Sequence, residues 1–318
     1  MSHLGRIPSE FSVSIPPDED GLTARECPIQ ECLGYFKIQL GTGLKGKDLP
    51  CHCPYCGHTN GHNKFFTPAQ IEYAKSVALN QITGAFLKDL KALEFNHRPS
   101  GGFGIGISMK VEGRPHPIQH YREKRLETEV VCEDCTLRYM IYGVFGFCPD
   151  CGAHNSLQIL RKNFEFIEKT LALAETLEPA LAQNLVCNGL EDCVSSFDGF
   201  GREICRVFSA KAIDPEKANS ISFQNITRAR ERVREQFNLD FAATLNQVEW
   251  ALVLRCFQKR HLLAHKMGVI DEEYIQAAGD RSAIAGRKCH VDQTEVRAFV
   301  TALRTLGEQL SEALKAKA

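Results

Sequence analysis

The sequence predicts a multidomain chain: small β-type units stapled by cysteines, one connecting helix, and an all-α C-terminal half. Three observations lead there. Eight of the fourteen cysteines fall in short-spaced pairs before Gly152. Apolar residues alternate between those pairs, as they do in half-buried strands. Beyond Ile159 they recur at helical spacing, with little strand signal. At 318 residues the chain is long enough for two or three cores, and 43% apolar with 24% charged residues is ordinary for a globular protein. The formal net charge of −1 means that a nucleic-acid contact would have to come from local basic patches.

Residues 1–24 read as a loosely ordered leader, with Pro16-Pro17 and the acidic run Asp18-Glu19-Asp20 but no apolar signal core. The longest apolar runs, such as Met140 to Cys148, are about half the roughly 18 residues that span a bilayer. A cytoplasmic protein with no membrane contact is expected. In a reducing compartment, paired cysteines favour metal over disulfides.

The first set, over residues 25–66, is Cys27-x4-Cys32 with Cys53-Pro54-Tyr55-Cys56-Gly57. The second, over 126–158, is Cys132-x2-Cys135 with Cys148-Pro149-Asp150-Cys151-Gly152. Proline stiffens such a C-P-x-C-G knuckle, and glycine reaches the positive φ that brings backbone amides to the sulfurs. Two pairs supply four thiolates, which close a tetrahedral structural Zn2+ site with no open position for chemistry. Two zinc ribbons are therefore expected, with Tyr35–Leu40 and Leu137–Tyr142 as their alternating strands. In the first ribbon Cys51, His52, His58 and His62 are additional candidate ligands. Cys187, Cys193, Cys205, Cys256 and Cys289 are scattered and read as small core residues.

Between the ribbons, residues 67–125 read as a helix followed by a glycine-rich β linker. Thr67-Pro68 opens the helix, and Ile71, Ala74, Ala78, Ile82, Phe86 and Leu90 lie at helical spacing. The glycine run Arg98–Gly106 leads into a strand (Ile107–Val111), so no helix N-terminus follows to receive a phosphate. From Ala85 to Arg125 basic residues exceed acidic ones by four. That excess is either an RNA-contacting face or an ordinary solvated surface.

Residues 159–318 read as a helical bundle. Phe164, Ile167, Leu171, Ala174 and Leu177 stripe a first helix, ended by Pro179. A second runs from about Ala180 to Phe208, its continuity challenged by Asn188-Gly189 and Gly199. A third, basic helix spans Ile226 to Phe237 with Arg228, Arg230, Arg232 and Arg234. The fourth is expected to bury Leu245, Val248, Leu252, Cys256 and Leu262 or Leu263, and to stop at Gly268. Asp271 starts a short turn, and Asp292-Gln293-Thr294-Glu295 is a capping box for the last helix.

The fourth helix ends in Arg260-His261-Leu262-Leu263-Ala264-His265. Three readings compete. The cations are surface groups favoured by the helix dipole at a C-terminus; or His261-x3-His265 is a two-histidine metal site, without the glutamate of a zincin helix and without an evident third ligand; or an imidazole moves a proton and a guanidinium holds a phosphate, the minimum for cutting RNA. On an ideal helix Arg260 and His265 stand about 140° and about 7.5 Å apart, whereas His261 and His265 share a face.

Arg260-His261-x3-His265 resembles the R-polar-x3-H signature of HEPN domains, with Gly268-Val269-Ile270-Asp271 like the usual continuation; the helical half from about residue 160 is similar to a HEPN bundle. The resemblance implies a metal-independent endoribonuclease that acts as a homodimer in phage defence or a toxin system. Its catalytic pair would be Arg260 and His265, with His261 the polar neighbour. It implies an RNA substrate and an antitoxin or other regulatory protein as a possible partner, while the zinc ribbons fall outside the family pattern and read as an appended recognition module. The competing expectation is a non-catalytic zinc-ribbon module that binds nucleic acid or protein and is dimerised by the helical bundle.

Overall fold

The computed structural model describes residues 3, 5, 7, 8, 10–45, 49–97, 107–280 and 282–316. The chain divides into two compact units, 1–153 and 154–318. The glycine run Arg98–Gly106 lies outside the described residues.

The first unit is built on one antiparallel sheet. β1 (Thr23–Glu26) pairs with β2 (Tyr35–Ile38), β2 with β8 (Arg138–Ile141), and β8 with β7 (Thr128–Val131). The ribbons expected at 25–66 and 126–158 are thus not separate modules: Lys37 stands opposite Met140 and Ile38 opposite Tyr139. All four residues of β2 are buried. Phe36, Phe65, Leu137, Tyr139 and Ile141 form the shared core with the ribbon cysteines. Two short hairpins complete the β-structure: β3 (Pro50–His52) with β4 (Thr59–Gly61), and β5 (Phe95–His97) with β6 (Ile107–Met109).

The expected leader is anchored at its end. Asp18 accepts Lys37 Nζ at 2.6 Å and caps the backbone of Leu22, and the sheet begins at Thr23. Lys37 also lies 3.7 Å from Glu123, whose carboxylate accepts Ala24 N, so buried charge on β2 ties both flanking segments to the sheet.

α1 (Pro68–Lys91) starts as the sequence predicts, with a Thr67/Gln70 capping box and proline in the first turn. Its apolar stripe does not become core. Ile71 and Phe86 are exposed, and the residues it buries are Gln70 and Ser76. Spacing alone places side chains on one face of a helix; it does not say that the face has a cover.

The second unit is helical: α2 (Ser156–Ala174), α3 (Pro179–Val207), α4 (Pro215–Asn219), α5 (Ile226–Phe237), α6 (Gln247–Lys266), α7 (Glu272–Ala278) and α8 (Gln293–Ala316). α2, α3, α6 and α8 pack together around Phe164, Leu171, Phe197, Phe257, Phe299 and Leu306. α3 runs unbroken through Gly189, Gly199 and Gly201. Gly201 is required by close approach, since a Cβ there would stand 2.4–2.6 Å from the buried ring of Phe223. α6 buries Val253, Cys256, Phe257, Lys259 and Leu262, while Val248, expected in the stripe, is 79% exposed. Apolar residues on two faces of α6 left the buried face ambiguous, and packing against α3 and α8 decided it. On α5 the arginines divide. Arg230 grips Asp240 through two 2.7 Å bonds and stacks on Trp250, Arg234 reaches the same carboxylate, and Arg228 and Arg232 line a cleft of about 420 Å³ with Lys217.

Two outcomes follow from these contacts. Gly201→Ala should lower stability by about 1–3 kcal/mol through overpacking, while Gly199→Ala, where a Cβ meets nothing within 4 Å, should gain about 0.5–1 kcal/mol; urea titration separates the two. The arginine pairing holds the Asp240 carboxyl down to about 2. A depressed carboxylate stabilises above its unfolded value near 4, and that contribution disappears as pH falls toward 2. Asp240→Asn should remove this part of the acid destabilisation, measured as thermal midpoint against pH.

Candidate functional site

The eight ribbon cysteines converge into two clusters, Cys27/Cys32/Cys53/Cys56 and Cys132/Cys135/Cys148/Cys151, with the four sulfurs of each within 4.8 Å of one another. Sulfur pairs stand 3.7 Å apart in the first cluster, and 3.6 and 3.5 Å apart in the second. A disulfide needs about 2.05 Å. Four Zn–S bonds of about 2.3 Å at tetrahedral angles put sulfurs about 3.8 Å apart, so the donor sets fit zinc. Burial pushes the Cys27 thiol up to about 11 and the Cys135 thiol up to about 12, with Cys53 and Cys148 raised as well. Such thiols ionise only when a cation offsets the lost hydration. The four ligand positions of each set are filled by sulfur, leaving a structural role.

Backbone geometry explains the pairs. In the closing knuckles Gly57 and Gly152 sit at φ 71° and 70°, donating to Cys53 O and Cys148 O. In the opening pairs the residue after the second cysteine takes the same left-handed turn, Leu33 at 44° and Thr136 at 65°. Of the additional candidate ligands, Cys51 is fully buried outside the cluster, near Arg25, and burial pushes its thiol up to about 12. The imidazole of His52 shares a hydrogen bond with Thr59 Oγ1, and neither His58 nor His62 joins a cluster.

The two knuckles brace each other reciprocally. His52 N–H donates to Pro149 O at 2.8 Å, and Phe147 N–H donates to Pro54 O at 2.9 Å. The Phe147 ring lies 3.3 Å from where a Gly57 Cβ would be, and the His52 ring 3.1 Å from the corresponding point on Gly152. The residue before each closing pair of cysteines therefore packs on the glycine of the other knuckle. The Cys-Pro repeats made the knuckles legible in the sequence; their mutual packing had no local signal.

The end of α6 is the second candidate. Asn246 and Glu249 form a capping box at its start, and the helix stays regular through Lys266. It stops because Met267 and Gly268 take φ 52° and 76°, and Gly268 N–H closes on Leu262 O at 2.9 Å. The last turn does not unwind to bring Arg260 round to His265. His261 and His265 are exposed and adjacent, with ring centroids 4.9 Å apart. Arg260 projects about 100° around the helix from His261 and is half-buried.

The charges around Arg260 are arranged unevenly. Glu295 takes Arg255 Nε at 2.7 Å and Lys259 Nζ at 2.6 Å, and Lys259 also donates to His290 O. Lys266 pairs with Asp271 and Glu273. Arg260 makes no ion pair among the described residues, and its buried Nε has no hydrogen-bond partner. Sequence reasoning missed Lys259 and Glu295 as neighbours of this site. Glu295 was expected to close a capping box, but its carboxylate turns to α6 while Asp292 alone caps Thr294 and Glu295.

Searches against protein-family profiles, curated proteins and solved structures find no match for this chain. No helix is long and apolar enough to cross a membrane among the described residues.

The purified chain should carry two zinc ions. Because the knuckles brace each other, Cys148→Ser should reduce the metal content well below one ion per chain, measured by elemental analysis after gel filtration. Retention of one full equivalent would show that the sites fold independently.

Proposed function

We propose that this chain is a metal-independent endoribonuclease of the HEPN type, working as a homodimer. One observation carries the reading. Arg255, Lys259 and Lys266 on α6 are each paired with a carboxylate, Arg255 and Lys259 sharing Glu295, while Arg260 has no acidic partner among the described residues and precedes two exposed imidazoles on the same helix. An unneutralised guanidinium beside groups able to move a proton suits a phosphodiester.

In this reading His265 takes the proton of the 2′-OH. The 2′-oxygen attacks phosphorus, the P–O5′ bond breaks, and the 5′-oxygen leaves as a hydroxyl with a proton from solvent, to which the protonated His265 returns its own. The products are a 2′,3′-cyclic phosphate and a 5′-OH. Arg260 balances the charge on the pentacoordinate phosphate, and His261 positions or assists His265. Because Arg260 and His265 stand about 140° apart on one helix, the site needs the second subunit to bring an arginine from one chain to an imidazole of the other. The zinc-bearing unit serves as a recognition module, and the setting is defence against phage or a toxin system in the cytoplasm, held in check by a partner protein.

The same separation favours the second reading, in which the bundle dimerises a non-catalytic zinc-ribbon module. Activity distinguishes them. Purified protein, briefly treated with EDTA so that structural zinc is retained, should cut RNA but not its 2′-deoxy counterpart and should leave cyclic phosphate ends. His265→Ala and Arg260→Ala should each lower the rate at least about 100-fold. Unchanged cleavage in both variants, or none in the wild type, would leave the binding module as the reading.

A further inference from the structure

We propose that His261 and His265 together form an exposed bidentate site for a borderline transition-metal ion, zinc first, and that this ion is an inhibitor, not a cofactor. The binding half stands on geometry alone, and the inhibitory half depends on the ribonuclease reading. A zinc–imidazole bond is about 2.1 Å and the ring centre lies about 1.1 Å behind the nitrogen, so an ion sits about 3.2 Å from each centroid. At ligand–metal–ligand angles of about 90–110°, two centroids then lie about 4.5–5.2 Å apart. The observed separation is 4.9 Å, with the rings inclined at 52°. The centroid spacing of such a chelate is present in the helix.

The surroundings favour a cation there. His265 lies in the final turn of α6, where the helix dipole presents its negative end, and His261 stands one turn before it. Lys266, next to His265, is held by Asp271 and Glu273. Arg260 projects from another face of the helix. Both rings are exposed, so water or a small anion completes the coordination sphere. The tetracysteine clusters are closed sulfur sites and hold their zinc far more tightly than two imidazoles can. An ion on His261 and His265 occupies the nitrogen lone pair that His265 would use to accept the 2′-OH proton.

The test uses full-length protein with both tetracysteine clusters loaded. Equilibrium dialysis against zinc should give a third ion per chain in the wild type and only two in His261→Ala and in His265→Ala. Each variant should lose affinity by more than the roughly 10–100-fold that follows removal of an outer-shell partner. Because both side chains are exposed, an unchanged thermal midpoint should confirm folding. Cobalt(II) added to the zinc-loaded protein should show d–d absorption without sulfur charge-transfer bands, excluding exchange into the cysteine clusters. Two ions in the wild type, or a third that persists in either variant, overturns the site. In the cleavage assay, zinc at concentrations that fill the third site should abolish wild-type activity, and chelation should restore it. Cleavage that continues with the site filled overturns the inhibitory role, and activation by zinc overturns both the role and the metal-independent reading. Absence of any cleavage sinks the ribonuclease reading and with it the inhibitory role, while the dialysis result still decides the site.

Discussion

Eight thiols gathered in two clusters, five of them buried, are the constraint on which the N-terminal unit depends. Its four-stranded sheet has strands of only four residues, too short to build a large core of their own. Sulfur spacings of 3.5–3.7 Å fit a dication at the centre of each cluster. The buried thiols, with ionisation pushed upward, show how unfavourable charge would be there without one. A metal ion turns this cost into a cross-link between segments far apart in sequence. The two crosslinks are also joined to each other, through Pro54 with Phe147 and Pro149 with His52. At donor sets of this kind metal binding is coupled to folding.

In the helical unit, a different charge arrangement organises the candidate site. Glu295 is a single carboxylate at the start of α8 that serves two cations of α6, Arg255 and Lys259. It fixes the rotation of α6 against α8, with Phe257 and Phe299 in edge contact behind it. That rotation turns Arg260 partly inward and leaves His261 and His265 in solvent. The stop at Met267 and Gly268 then sets His265 in the last turn, at the negative end of the helix. The exposed pair and the unneutralised guanidinium both follow from how α6 is seated.

Much of this was legible in the residues. Cys-Pro-x-Cys-Gly twice over marked both knuckles and the positive φ of Gly57 and Gly152. Thr67-Pro68 marked a helix start, Asp271 the start of a short turn, and the apolar stripe of α8 a buried face. Elsewhere local pattern misled. Ile71 and Phe86 keep helical spacing but stay exposed among the described residues, and Val248 faces solvent although it is apolar and in phase with Leu252. Glu295 completes a capping-box sequence and yet bonds to another helix. In each case a short-range rule described what the segment permits, and tertiary packing decided which of those options is used.

The sequence by itself determined the element types, the two tetracysteine donor sets and the turn that ends α6. These depend on side-chain chemistry and backbone dihedrals within a few residues. Only the tertiary structure decided that both ribbons share one sheet, that their knuckles brace each other, and that Arg260 is left without an acidic partner among the described residues. Those features depend on which surfaces meet after the chain closes loops of tens of residues, and no local periodicity encodes that choice.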